Sequence, residues 1–375
     1  MSVPQIAMVD LKTQYDHIQD EIQQAFREIL ETSQFINGKV VKTFTDNLSK
    51  YLGGPEVIPC ANGTDALQIA LMALDLKPGD EVITSPFTFV ATAEVIALLQ
   101  LKPVFVDVDP DNFVLDPSKL EAAITERSRV IIPVHLFGQA APMEQIMSIA
   151  SKHNLFVVED NAQAIGANYL FADGHVKKLG TIGHIGTTSF FPSKNLGAYG
   201  DAGAIFTHDP ELAQKMRSIV NHGMNLQYQY DRVGVNSRLD SLQAAVLDVK
   251  LRHLDQYNNA RLDAANYYSS KLRAIDGITC PTIAPYSSHV FHQYTLKLEN
   301  NRDAVRAGLS EKGIPSGVYY PKPLHLHAPY QKYGYQEGDM PVSEMLSGQV
   351  LSLPMHSELN SHIQDHIIRQ LINLI

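Results

Sequence analysis

The chain has 375 residues, 45% hydrophobic and 19% charged, with a net charge of −10 and no dense Lys/Arg run. A single hydrophobic core rarely grows past about 250–300 residues, so one large domain and one smaller domain are expected. The charge balance lacks the electrostatic footprint of a nucleic-acid binder, and no apolar stretch is long enough to span a bilayer. Residues 16–31 read as an amphipathic helix with Ile18, Ile22, Phe26 and Ile29 on one face. Asn62-Gly63-Thr64 opens a second helix over 65–75. Strand-like runs then recur at 81–84, 104–108, 130–134, 155–159, 187–190 and 204–207, with helical patterns around 91–100, 117–124 and 142–153. Strands alternating with helices predict an α/β fold with a mostly parallel sheet covered on both faces. A long helical stretch lies near 238–275. Beyond it, 276–300 is loop- and strand-like, 302–312 helical, and 318–341 a Pro/His/Tyr-rich loop before a short C-terminal helix. The expected division is an N-terminal arm and large domain over 1–250 and a small domain over 251–375.

Met1-Ser2-Val3-Pro4-Gln5 lacks the basic and apolar regions of a signal peptide. The two cysteines, Cys60 and Cys280, cannot build a disulfide framework, and neither sits in a CxxC pair. The cytoplasm is the expected compartment. Fifteen histidines invite a metal reading, but the spacing of His325 and His327 does not match usual zinc patterns, so no metal is expected.

Parallel sheets bind ligands at the carboxyl ends of their strands, and two reactive residues fall at such ends. Lys194 stands in Ser189-Phe190-Phe191-Pro192-Ser193-Lys194-Asn195-Leu196-Gly197, just beyond a predicted strand. A lysine amine in a partly apolar setting becomes nucleophilic and can hold an aldehyde covalently. Asp160 ends the apolar run Leu155-Phe156-Val157-Val158-Glu159. A carboxylate there keeps a pyridine nitrogen protonated, which an electron-sink cofactor requires. Together they suggest pyridoxal phosphate (PLP), and Gln163 is placed to bond its ring oxygen. Gly63 and Thr64 put a glycine and a hydroxyl at a helix start suited to a phosphate, with Ser189 as a second hydroxyl. Phe89 is a candidate ring-stacking partner, and Asn236 and Arg238 form a polar cluster that could reach an anion. Each also has an ordinary use: Lys194 as a surface lysine, Asp160, Gly63-Thr64 and Asn236-Arg238 as helix caps, Phe89 as core.

The ordered set Asn62-Gly63-Thr64-Asp65-Ala66-Leu67, Thr88-Phe89-x-Ala91-Thr92, Glu159-Asp160-Asn161-Ala162-Gln163, Ser189–Gly197, Gly200-Asp201-x-Gly203-Ala204, Asn221-His222-Gly223, Gly234-x-Asn236-x-Arg238-Leu239-Asp240 and Tyr320-Pro321-x-Pro323-Leu324-His325 resembles the DegT/DnrJ/EryC1/StrS family of PLP-dependent nucleotide-sugar aminotransferases. The resemblance covers nearly the whole chain. It implies the fold type I, aspartate aminotransferase-like architecture and a homodimer with shared active sites. Lys194 would hold the cofactor covalently, Asp160 would pair with the ring nitrogen, and Gln163 would contact the ring oxygen. Phe89 would stack on the ring. Gly63, Thr64 and Ser189 would hold the phosphate, joined by Asn236 of the neighbouring subunit. Relatives with His in place of Lys194 act as sugar dehydratases, so Lys194 implies transamination, with L-glutamate as donor. Two acceptor groups compete: UDP-linked 2-acetamido-3-oxo-uronic acids on the route to O-antigen, and dTDP-linked 3-oxo-6-deoxyhexoses. Cys60–Leu74, Val233–Ala245 and Leu351–His356 resemble the first. There Arg238, from the partner, and a His before the Tyr-Pro pair lie near the sugar. This chain has Tyr319 at that position, which carries no positive charge near neutral pH. Tyr319, Tyr320, His325 and Arg238 are the expected sugar-facing residues. A PLP-binding regulator without turnover is the alternative of another class, and the intact set of Lys194, Asp160 and Gln163 points away from it.

Overall fold

A computed structural model describes residues 6–375. Its largest sheet has seven strands, in the spatial order Glu56–Cys60, Gly203–Thr207, Ile185–Ser189, Phe156–Asp160, Ser128–Ile132, Glu81–Thr84 and Lys102–Phe105. Gly203–Thr207 pairs antiparallel with both neighbours, and the other ladders are parallel. Alternation along the strands decides where the core lies. Ile83, Ile131 and Val157 enter one hydrophobic cluster, while Val82, Val130, Ile132 and Val158 enter another. Successive side chains of a strand face opposite ways, so these two clusters are the two covered faces of one sheet. The fold type I α/β architecture expected from the sequence is present.

The predicted strands lie within two residues of the observed ones, except at the end of 104–108, observed as Lys102–Phe105. Apolar burial outlasts the ladder there: Val106 and Val108 stay buried after the strand ends, and Val108 bridges Leu115. Glu56–Cys60 was not expected as a strand. It contains Pro59, which lacks an amide donor and is tolerated because the strand is at the sheet edge. The helical pattern at 117–124 resolves into two 3-10 turns, Pro117–Lys119 and Glu121–Ala123. The stretch 238–275 is two helices, Ser241–Leu251 and Leu254–Leu272. Lys39–Leu52 is a further helix, packed through Phe44 and Leu48 on the cluster that also holds Phe190 and Leu196.

A second sheet follows, with Ile278–Thr279, Tyr294–Leu298 and Val350–Leu353 antiparallel in that order. Leu296 and Leu351 from its strands pack with Leu309 and Ile367 from helices Arg302–Glu311 and Ser361–Ile372. Helix Leu254–Leu272 joins the two regions. Leu254 packs with Leu196 and Phe190, whereas Ala265, Tyr268 and Leu272 pack with the second sheet. Among the described residues, no helix is long and apolar enough to cross a membrane.

Candidate active site

Strand Ile185–Ser189 delivers the chain into a tight turn that carries Lys194. The Lys194 amide donates to the Phe191 carbonyl at 2.8 Å. At the far side, a Cβ on Gly197 would lie 2.2 Å from the Pro192 carbonyl oxygen, so only glycine closes this turn. Lys194 is half-buried, and desolvation pushes its amine down to about 8, opposed by the nearby Asp160 carboxylate. Such an amine is about one-tenth unprotonated at pH 7, far more than an ordinary lysine. The turn therefore presents a nucleophile beside a carboxylate.

Asp160 sits at the carboxyl end of its strand and is 5% exposed. Thr92 Oγ1 donates to its Oδ2 at 2.8 Å, and the Ala162 amide to its Oδ1 at 3.2 Å. Two donors leave lone pairs free for a further cation or N–H group. Gln163 is fixed from both ends: its Oε1 accepts from the Phe137 amide at 2.7 Å, and its Nε2 donates to the Tyr320 hydroxyl at 3.2 Å. That network assigns the amide orientation and leaves one Nε2 proton unused. Burial pushes the Tyr320 hydroxyl well up; the Gln163 bond opposes this and the Asp160 charge adds to it. Phe89 is 54% exposed, with its ring centroid 6.5 Å from that of Tyr320. An exposed aromatic face beside a buried carboxylate and a desolvated lysine suits a flat heteroaromatic ring.

The phosphate cradle rests on a close backbone approach. A Cβ on Gly63 would lie 2.6 Å from the Ser189 Cβ, so a larger residue there would fill the space between helix start and strand end. Helix Gly63–Ala73 is capped by Asn62, whose side chain accepts from the Asp65 amide at 2.8 Å. The Gly63 and Thr64 amides donate to no described residue, which leaves them for an anion at the positive end of the helix.

Residues 16–372 match the DegT/DnrJ/EryC1/StrS aminotransferase family. The chain belongs to that family. It is 46% identical over 373 residues to a pleiotropic regulatory protein of Geobacillus stearothermophilus, covering 99% of this chain and 98% of that one. It is 46% identical to the UDP-2-acetamido-2-deoxy-3-oxo-D-glucuronate aminotransferase of Pseudomonas aeruginosa, covering 95% and 96%. It is 44% identical to the UDP-N-acetyl-3-dehydro-alpha-D-glucosamine 3-aminotransferase of Acidithiobacillus ferrooxidans, covering 94% of each. Among solved structures, NtdA from Bacillus subtilis with bound cofactor PMP superimposes with a TM-score of 0.90 at 33% identity, covering 100% of this chain and 85% of that one. This family of aminotransferases uses pyridoxal phosphate. The residues here fit that group: a desolvated amine, an incompletely paired buried carboxylate, a free aromatic face and a cradle that a Cβ would fill.

Not every expected residue is tied into this cluster by a hydrogen bond. Asn236 is exposed and Arg238 half-buried, and neither side chain hydrogen-bonds to a described residue. Between them, Ser237 is fully buried, and its hydroxyl accepts from the Ala61 amide at 3.0 Å. Tyr319 is half-buried, its ring centroid 6.0 Å from that of Tyr320. His325 corrects an expectation. It is 0% exposed, its Nε2 lies 2.9 Å from Glu344 Oε1, and it offers no surface to a sugar. Packing of Leu324 and Tyr330 against Phe105 draws this segment into the interior.

Other supporting residues went unassigned in the sequence. Thr92 stood in a quoted motif without a role. Glu159 is 0% exposed and accepts from the amides of Gly180, Ile182 and Gly183 at 2.6–2.9 Å. His135 Nδ1 accepts from the Ala141 amide at 3.1 Å, so its Nε2 carries the proton and donates to Glu159 at 2.8 Å. Burial alone would push the Glu159 carboxyl up; His135 and these amides outweigh it and hold it below its usual range. Nothing local marks His135 as Glu159's partner, since the two meet only through strand pairing.

Proposed function

We propose that this aminotransferase moves the amino group of L-glutamate to C3 of a UDP-linked 2-acetamido-2-deoxy-3-oxo sugar, the 3-oxo-glucuronate being the first acceptor to test. The observation that carries the transamination reading is the placement of Lys194 on the tight turn after strand Ile185–Ser189, next to the buried, incompletely paired Asp160 carboxylate that opposes the lowering of its amine. Bound pyridoxal phosphate supplies an aldehyde to hold the amino group and a ring to take up an electron pair. Lys194 Nζ would hold the cofactor and, once displaced by the donor, take the proton from the donor's alpha carbon. Asp160 would keep a positive charge on the ring nitrogen, and the spare Nε2 proton of Gln163 would meet the ring oxygen. Phe89 would cover one face of the ring. Gly63, Thr64 and Ser189 would hold the phosphate. The P. aeruginosa relative supports the acceptor class.

A second acceptor reading has its own support. Tyr319 carries no charge to meet a uronate carboxylate, and the A. ferrooxidans relative is named for an N-acetylglucosamine substrate. That reading keeps the nucleotide and the C3 position and replaces the carboxylate by a neutral group. We further propose a homodimer in which Asn236 and Arg238 complete the partner's site, with Tyr319 and Tyr320 facing the sugar. The exposed apolar side chains Leu226, Tyr228, Tyr230 and Val233 beside that segment support it. The division at residue 250, a cytoplasmic location and a role in surface polysaccharide assembly belong to the same proposal.

The test begins with the visible spectrum of purified protein supplied with PLP, before and after L-glutamate. A band that bleaches with glutamate establishes the donor half-reaction. A panel of UDP-3-oxo-N-acetylglucosaminuronate, UDP-3-oxo-N-acetylglucosamine and a dTDP-3-oxo-6-deoxyhexose then identifies the acceptor, with parallel initial-rate lines expected. A band untouched by glutamate favours another donor or a regulator without turnover. No band at all overturns the reading.

A further inference from the structure

The turn that carries Lys194 is gripped from behind by two helices. In Ser241–Leu251, Gln243 and Lys250 lie two turns apart and share one face. Gln243 Oε1 accepts from the Tyr199 amide at 2.8 Å, and Lys250 Nζ donates to the Gly197 carbonyl at 2.8 Å. The following helix, Leu254–Leu272, supplies Asn258, whose Oδ1 accepts from Asn195 Nδ2 at 2.7 Å. Asn258 also donates to the Ile165 carbonyl at 3.2 Å, which ties the lysine turn to the segment just after Gln163. The grip falls on alternate residues, Asn195, Gly197 and Tyr199.

Lys250 is the member that an ordinary helix contact does not explain. It is 1% exposed, and no carboxylate among the described residues pairs with it. The Tyr199 ring centroid lies 5.1 Å from its Nζ. Burial, and secondarily Arg261, pushes its amine down to about 8. A methionine would fill the same space without desolvating an amine. What lysine adds is a strong donor aimed at the carbonyl that closes the turn, and a charge-assisted one while protonated. Gly197 is also where the backbone folds back most tightly on Pro192.

We propose that Lys250 is a positioning residue for Lys194, fixing the Gly197 end of the turn so that the Lys194 amine is held in one orientation. It acts through the backbone and touches no reacting atom. The inference rests on the reading of Lys194 as the cofactor-holding residue. The test compares wild type with Lys250→Met, which keeps length and removes the donor, and Lys250→Arg, which restores a cationic donor. In cofactor-free protein, amide exchange over residues 193–198 should rise about tenfold in Lys250→Met while exchange in the seven-stranded sheet stays unchanged. In the PLP-loaded enzyme, kcat should fall about tenfold with KM for L-glutamate within about twofold, and the pH midpoint of the visible band should move. Lys250→Arg should recover part of each change. Wild-type exchange, midpoint and kcat in Lys250→Met overturn the proposal, as does an exchange increase spread evenly over the protein. If Lys250→Met does not fold, Lys250→Gln is read by the same exchange criterion. A wild-type protein that shows no band with PLP defeats the functional reading instead, and exchange over 193–198 still decides whether Lys250 holds the turn.

Discussion

Glu159 and Asp160 are neighbours on one strand and face opposite sides of the same sheet. Both are buried, and both are hydrogen-bonded. Around Glu159 four donors converge: three amides and the His135 ring. Around Asp160 there are two, Thr92 and the Ala162 amide, with the Lys194 amine close enough to feel its charge. An ionised carboxylate has about four acceptor positions. Glu159 has filled them and can only hold structure together. Asp160 keeps some in reserve, and a buried acceptor with spare capacity can meet a ligand's charge. Removing the first should therefore be felt as stability and removing the second as rate.

The largest effect is expected at the nucleophile. Lys194→Ala should abolish turnover, a loss of at least about 10⁴-fold, because it removes the amine beside Asp160 that would hold the cofactor and move the proton. Measured activity above that level would dismantle the assignment. Asp160→Asn keeps the shape and removes the charge. Its single-turnover rate with L-glutamate should drop on the order of 10²–10⁴-fold with the melting temperature little changed.

Glu159→Gln should reverse that pattern. Four donors would face a group that is itself partly a donor, and breaking such a buried pair costs about 3–5 kcal/mol. The melting temperature should fall by roughly 4–6 °C, while activity per cofactor-loaded site stays within about threefold. A rate collapse without a stability loss would show that the two carboxylates have been assigned to the wrong classes.

The residues proposed to meet a ligand can be picked out in the sequence; those that hold them cannot. Lys194 and Asp160 stand out because the chemistry demands an amine and a carboxylate at strand ends, and their flanks are apolar. Gly63 and Ser189 lie far apart in sequence, yet each carries a local sign, a helix start and a strand end. His135 has no such sign, since only the pairing of two parallel strands brings it to Glu159. Lys250 was hidden for a related reason. A lysine in a helix reads as solvent-facing, and only the packing of Ser241–Leu251 beneath the lysine turn turns it inward. The edge strand Glu56–Cys60 was masked by Pro59, and His325 looked available until Leu324 and Tyr330 were seen to draw it inside.

The lowered amine of Lys194 gives a smaller, graded contrast. Only the unprotonated amine attacks an aldehyde, so uptake of PLP by cofactor-free protein should slow as pH falls through about 8. Between pH 9 and pH 7 the rate should drop about tenfold, as the unprotonated fraction does. A midpoint near that of an exposed lysine would mean that the turn does not desolvate the amine.

The smallest effect separates the two carboxylates most finely. Among the described residues, Thr92 supplies the only side-chain donor that Asp160 receives, at 2.8 Å, and it is itself fully buried. Thr92→Val keeps the shape and removes that donor. A hydrogen bond to a charged group contributes about 1.5–3 kcal/mol, but the Ala162 amide and the bound ring would still hold Asp160, so only part of it should be lost. The single-turnover rate with L-glutamate should fall about three- to tenfold, PLP should bind more weakly, and Thr92→Ser should restore both. No change in either quantity would mean that Asp160 is oriented by the backbone alone. Its reserve of acceptor positions would then come from exposure to the ligand pocket, not from a deliberately sparse set of partners.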